Sequence, residues 1–292
     1  MTPTIPTGAD SRAGLSLAVR ESGVDGQSTV VLLHGVGNNG SMWSHLMAYL
    51  PEYHCLAPDL PGHGDSRAFE WGSRTETARM VGELIEARAI DGRAHVVGLS
   101  LGGSVALELL ASRPELLDHV VVDGCAALPS RVIGPMKIGV FAISPLLRFG
   151  PVARLIGRTF GVQPGDGLTT FVAQMQAVDP KSFRRAFADA NDARITPSLL
   201  AAPCPTLLVA GERELSHVRA SNRLLAEQMP HGEARMVPGA NHGWGPAQYP
   251  DLHRRMIVAW LKDQPLPAEL ARDAIASAGR NPSPTESIGE SR

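Results

Sequence analysis

The sequence predicts an α/β fold: a mostly parallel sheet flanked by helices on both faces, with an inserted helical segment. Three observations carry this. Short apolar runs rich in Val and Leu recur along the 292 residues, each followed closely by Gly or Pro, as strands covered on both faces require. Helical patterns alternate with them, and strand–helix alternation implies parallel pairing through right-handed crossovers. The alternation stops at Ala126 and resumes near Pro197.

Taken in order, Thr29–Leu33 (TVVLL) is a buried strand ending at His34-Gly35, and Tyr53–Ala57 ends at Pro58-Asp59. A helix over Thr75–Ala89 carries Ala78, Val81, Leu84 and Ile85 on one stripe. The strand Ala94–Gly98 runs into Leu99-Ser100, and a helix over Leu101–Ser112 is stopped by Pro114. The strand His119–Val122 ends at Asp123-Gly124. Residues 126–197 lack a strong strand signal and hold patchy helical patterns, Met136–Phe149 and Leu168–Val178 among them. The strand Thr206–Ala210, the helix Ser216–Met229, the strand Ala234–Val237 and the helix Leu252–Leu261 complete the pattern. The expected core is therefore residues 8–125 and 198–263, with 126–197 inserted into one domain. From about Gln264 the Pro-, Ala- and Ser-rich chain reads as a disordered tail.

Basic residues number 27 and acidic residues 29, a net charge of −2, which argues against the basic face of a nucleic-acid binder. With 43% apolar and 19% charged residues the chain is globular in composition. Cys55, Cys125 and Cys204 show neither disulfide nor zinc spacing, so a reducing, cytoplasmic setting is expected. The opening MTPTIPTGADSR has no apolar run of a signal peptide, and no stretch approaches the ~20 apolar residues of a membrane span.

The sharpest chemical signal is Gly98-Leu99-Ser100-Leu101-Gly102-Gly103, between a strand and a helix. A tight turn there lifts the Ser100 hydroxyl above the sheet, and the two glycines let strand and helix approach. A serine nucleophile needs a base. Of the ten histidines, His242 lies in the loop PGANHGWGP after the last core strand, at the carboxyl edge where such sheets bind ligands. His54, His95 and His119 lie in or beside strands away from that edge. The acid is Glu214, in Gly211-Glu-Arg-Glu214, or alternatively Asp123 at the end of the preceding strand. No HExxH or clustered Cys/His ligands point to a metal.

Together these motifs resemble the α/β-hydrolase superfamily in its serine-nucleophile, esterase-like branch. The matching pieces are His34-Gly35-Val36-Gly37, Trp43 beyond it, Pro58-Asp-Leu-Pro-Gly-His-Gly-Asp-Ser66, GLSLGG, GERE and GANHGW. The resemblance implies an oxyanion hole from the Val36 and Leu101 amides, a helical cap over the pocket formed by 126–197, and structural roles for Asp59 and His63. The family commonly has Asp where this chain has Glu214, which keeps Asp123 open. Trp43 and Trp244 are candidates either for the pocket wall or for the core. Ile138, Val140, Phe141, Ile143, Leu146, Leu147 and Phe149 are candidates for the pocket roof. Lys137, Arg148, Arg154 and Arg158 are either a site for an anionic or membrane-adjacent substrate or a solvated face.

Ser100 argues against the branches that use an Asp nucleophile. The expected activity is cofactor-free hydrolysis of a small or medium hydrophobic carboxylic ester. The partners expected are a small-molecule acyl substrate, with no nucleic acid and no stable membrane insertion, in a monomer or homodimer. Alternatives on the same residues are a thioesterase, a C–C bond hydrolase, a cofactor-free lyase or oxygenase, and a slow-turnover ligand receptor.

Overall fold

The computed structural model describes residues 17–273 except 160, 161, 163 and 193. In chain order the elements are β1 (Val19–Ser22), β2 (Thr29–Leu33), α1 (Ser44–Met47), β3 (His54–Pro58), α2 (Arg74–Arg88), β4 (Ala94–Leu99), α3 (Leu101–Ser112), β5 (Leu117–Asp123), α4 (Ile133–Ile143), α5 (Gly150–Thr159), α6 (Asp166–Ala177), α7 (Pro180–Ala190), α8 (Pro197–Leu200), β6 (Thr206–Gly211), α9 (Ser216–Gln228), β7 (Gly232–Val237), α10 (Pro250–Leu261) and β8 (Ala271–Arg272). The strands form one sheet in the order β1-β3-β2-β4-β5-β6-β7-β8. The inner pairs are parallel, while β1 and β8 run antiparallel at the edges.

The continuous apolar strands are buried on both faces, and the twofold alternation of a strand divides them between two cores. Val31, Leu33, Val96, Val120, Val122 and Leu208 point into the layer that holds the apolar sides of α2 and α3. Val30, Leu32, Val97, Val121, Leu207 and Val209 point into the opposite layer, with Leu46 and Met47 of α1 and Met256 and Ile257 of α10. The chain leaves β2 for β3 on one side and returns to β4 on the other. The loops after β2 and β4 therefore diverge at one point of the carboxyl edge, where open α/β sheets form their crevice.

Helices α4 to α7 occupy the expected insertion, and α5, α6 and α7 share a small core built on Leu168, Phe171, Met175 and Phe183. Polar bonds tie this layer to the sheet domain. Gln174 donates to Ser41 Oγ (2.6 Å), and the Trp71 indole donates to Asp189 (3.0 Å). Among the described residues, no helix is long and apolar enough to cross a membrane.

Two elements depart from the sequence expectation. β1 is a four-residue edge strand (VRES) with one buried residue, too short and polar to give an apolar run. The chain after Gln264 is ordered as far as Asp273: β8 pairs with β7, Leu270 joins the core, and Arg223 pairs with Asp273 at 3.0 Å. The expected disorder of the remaining tail, 274–292, and the expected start of the core at Gly8 lie outside the described residues. Because Leu270 is only 6% exposed, Leu270→Ala is expected to cost about 2–3 kcal/mol, read as a lower midpoint in urea unfolding with an unchanged slope.

Candidate active site

Ser100 lies at the strand-to-helix turn with φ 54° and ψ −108°, a conformation costing about 1–3 kcal/mol for a residue with a side chain. The neighbouring chain over-determines it. The Ser100 amide donates to the Asp123 carbonyl (2.8 Å), and the Gly102 amide donates to the His34 carbonyl (3.1 Å). A Cβ on Gly98 would stand 2.3 Å from the Gly102 carbonyl oxygen, and one on Gly102 would stand 2.1 Å from that of Leu33. Only glycine permits this contact of β2, β4 and α3. Leu101 is the first residue of α3, so no carbonyl lies one helical turn behind its amide.

His242 comes from the loop after β7. Its Nε2 is 3.0 Å from Ser100 Oγ, and its Nδ1 is 2.9 Å from Glu214 Oε2. The Glu214 side chain is 2% exposed and that of His242 35%. Three hydrogen bonds stitch the Glu214 turn to the loop leading to His242: Glu212 N to Val237 O (3.0 Å), Arg213 N to Ala240 O (2.8 Å) and Gly239 N to Glu212 Oε2 (2.8 Å). Burial pulls the His242 pKa down, but the charge of Glu214, its hydrogen bond and the charge of Asp123 outweigh this and leave it raised.

Asp123, the alternative acid, is otherwise engaged. Its Oδ1 accepts from the Trp244 indole (2.9 Å), and its Oδ2 lies 3.4 Å from His253 Nε2 on α10. It is 1% exposed, and burial raises its pKa. Since Trp244 is two residues beyond His242, this carboxylate anchors the loop that carries the imidazole. Gly124 follows with φ +61°, and a Cβ there would meet Glu214 Oε1 at 3.0 Å and His242 Nδ1 at 3.1 Å. Sequence reasoning missed Gly124, although an Asp-Gly pair closing a strand signals such a turn.

His34 and His63, in the two other motif loops, are held in contacts of their own. His34 is buried and neutral, its pKa pushed down to about 4 by burial. Its Nδ1–H donates to the Gly35 carbonyl (2.8 Å), and its Nε2 accepts from Leu60 N (2.9 Å). His63 packs edge-on against it, with its pKa lowered to about 3 by burial. Asp59 accepts from Gly40 N (2.7 Å) and Asp65 N (2.8 Å). These contacts hold the loop bearing Val36 against the sheet.

Two cavities meet at Ser100, Val36 and His242. The larger, ≈360 Å³, is bordered by Cys125, Met136, Phe187 and Leu215, among others. The smaller, ≈80 Å³, is bordered by Asn38, Met42, Phe171, Pro246 and Ala247. Burial pushes the Cys125 thiol up to about 12, so it is no rival nucleophile.

The two indoles left open between wall and core fall in the core, and the expected roof needs correction. Trp43 and Trp244 border neither cavity at Ser100; both are core residues, 1% and 0% exposed. Trp43 stacks on His253 beside a separate cavity of ≈260 Å³. None of the apolar residues expected in the roof borders the cavities: Ile138, Phe141, Leu146 and Phe149 are solvent-exposed. Met136, Phe187, Val162 and Phe171 stand there instead, and no sequence pattern distinguishes them from their neighbours.

Residues 30–255 match the Alpha/beta hydrolase family, and the chain belongs to that family. An AB hydrolase superfamily protein of Gibberella zeae is 26% identical over 258 residues, 83% of each chain. Lipase LipV of Mycobacterium tuberculosis is 37% identical over 116 residues, 39% of this chain and 44% of that protein. A thermophilic esterase from Thermogutta terrifontis superposes with a TM-score of 0.68 at 20% identity, covering 85% of this chain and 93% of that one, a likeness of fold.

Two measurements separate the carboxylates. An NMR titration of His242 is expected to give a pKa above the ordinary 6.5. In Glu214→Gln the carboxylate's pull is gone and burial remains, so the value is expected to fall below that of the unaltered protein. Asp123→Ala leaves the Trp244 N–H without its acceptor and is expected to cost about 1–3 kcal/mol, read as a lower Tm.

Proposed function

We propose that this member of the Alpha/beta hydrolase family hydrolyses carboxylic esters through an acyl-enzyme on Ser100. The carrying observation is the chain of two hydrogen-bond contacts from Ser100 Oγ through the His242 imidazole to Glu214, 3.0 and 2.9 Å long. In the first half-reaction Ser100 Oγ bonds to the ester carbonyl carbon and its proton passes to His242 Nε2. The carbon–alkoxide bond then breaks, and that proton goes to the departing alcohol. In the second half a water gives a proton to His242, its oxygen bonds to the acyl carbon, and the proton returns to Ser100 as the carboxylic acid leaves. Glu214 keeps Nδ1 protonated and stabilises the imidazolium. The Val36 and Leu101 amides are assigned to the oxyanion, and helices α4 to α7, within residues 126–197, act as the cap over the pocket.

The unequal cavities add a substrate shape. An apolar cavity of roughly 150 Å³ holds a benzene, so ≈360 Å³ accepts a bulky apolar group and ≈80 Å³ only a small one. Met42 and Pro246 border both the small cavity and the separate ≈260 Å³ one, so Met42 sets the limit. Two assays on purified protein test this. Ser100→Ala is expected to lower kcat on an ester by several orders of magnitude; unchanged turnover overturns the mechanism. Esters with one methyl or ethyl side are expected to be at least about tenfold better in kcat/KM than esters bulky on both sides, about 1.4 kcal/mol. Met42→Ala is expected to narrow that ratio. Ser100-dependent turnover indifferent to the second group leaves the mechanism standing and removes the size rule.

A further inference from the structure

Residues 124–165 contain no Asp or Glu, yet they hold Arg131, Lys137, Arg148, Arg154 and Arg158. The same stretch carries seven of the eleven large apolar residues exposed among the described residues. The most prominent are Ile138 (73% exposed), Phe141 (67%), Leu155 (63%) and Phe149 (60%). Ile138 and Phe141 are three apart on α4 and share a face. α4 packs against the turn 144–148, which packs in turn on α5, so the exposed groups lie on consecutive touching elements.

The charge on this surface is largely unspent. Lys137 is paired with Asp192 at 2.8 Å, but no ion pair involves Arg131, Arg148, Arg154 or Arg158 among the described residues. On the packed neighbours, Arg184 of α7 adds a cation over the Phe141 ring. Asp166 begins α6, which packs on α5. An exposed apolar patch rimmed by unpaired cations fits an interface whose interior is hydrocarbon and whose surface is negative. A protein partner would need an acidic rim around an apolar socket; an anionic bilayer offers both over any area.

We infer that the α4–α5 face docks on anionic phospholipid, with the aromatic and aliphatic tips in the headgroup region and the arginines on the lipid charges. Met136 of α4 and Thr159 at the end of α5 border the cavity at Ser100, so docking sets this side of the site against the lipid. The docking itself is independent of the reaction at Ser100.

Co-sedimentation of the full chain with phosphatidylcholine vesicles, with and without phosphatidylserine, tests this. Binding is expected only when phosphatidylserine is present, and it weakens as salt is raised. With each arginine near the surface worth about fivefold in partitioning, Arg154→Gln with Arg158→Gln is expected to lower binding roughly 30-fold. Ile138→Ser with Phe141→Ser, at exposed positions and with Tm recorded, is expected to lower it further. Absence of binding to phosphatidylserine vesicles overturns the inference, as does equal binding to phosphatidylcholine alone. So does a self-associated species that the Ile138/Phe141 variant dissociates while no vesicle binding occurs, which would make a second copy the occupant.

Discussion

The backbone contact at residues 98–102 is the constraint on which the site depends. β4 passes the first turn of α3 so closely that no side chain fits at Gly98, and α3 passes β2 so closely that none fits at Gly102. That approach forces the turn at Ser100 into a left-handed conformation and points its hydroxyl away from the sheet. It also brings the start of α3 beside the loop after β2, whose Val36 borders both cavities at Ser100. The strain at Ser100 persists because its amide is tied to β5 and the helix start is tied to His34, a local cost borne by a well-packed surround.

The second organising feature is a division of labour between carboxylates on adjacent strands. Asp123 ends β5 and Glu214 follows β6, and both are buried. Asp123 faces the layer under α10, where the Trp244 indole donates to one of its oxygens and His253 lies 3.4 Å from the other. Glu214 is carried by a turn bonded to the loop of His242, and one of its oxygens meets the imidazole. Each negative charge favours the protonated imidazole, but only Glu214 touches it. Asp123 works through Trp244, by fixing the loop.

The architecture was legible because its strands are continuous apolar runs between glycines and prolines. All six parallel strands fall within two residues of the expected ends, and α3 matches at both ends. The edge strands were illegible for the opposite reason: VRES and the two-residue β8 have no period to read. Ser100 and His242 could be chosen from motif and loop position. The acid stayed open between Glu214 and Asp123, because two carboxylates stand at the ends of neighbouring strands and it is the bonds joining residues 212–213 to 237–240 that bring Glu214 to the imidazole. The two indoles stayed open between wall and core because nearness in sequence to Val36 or His242 says nothing about which side of the sheet an indole takes. In α4, apolar residues were read as roof although their helix meets its neighbours along one narrow stripe.

Gly124 links these features in one further way. The space it leaves is filled by Glu214 and His242, and a glutamate reaches further than the aspartate common at that position. The side chains that fit at 124 and at 214 therefore depend on one another. A side chain at 124 collides with the longer acid, while a shorter acid at 214 leaves a void beside the glycine unless the β6 turn moves inward. The two positions thus share one small volume, and what one gives up the other can take, a coupling created by a single missing methyl group.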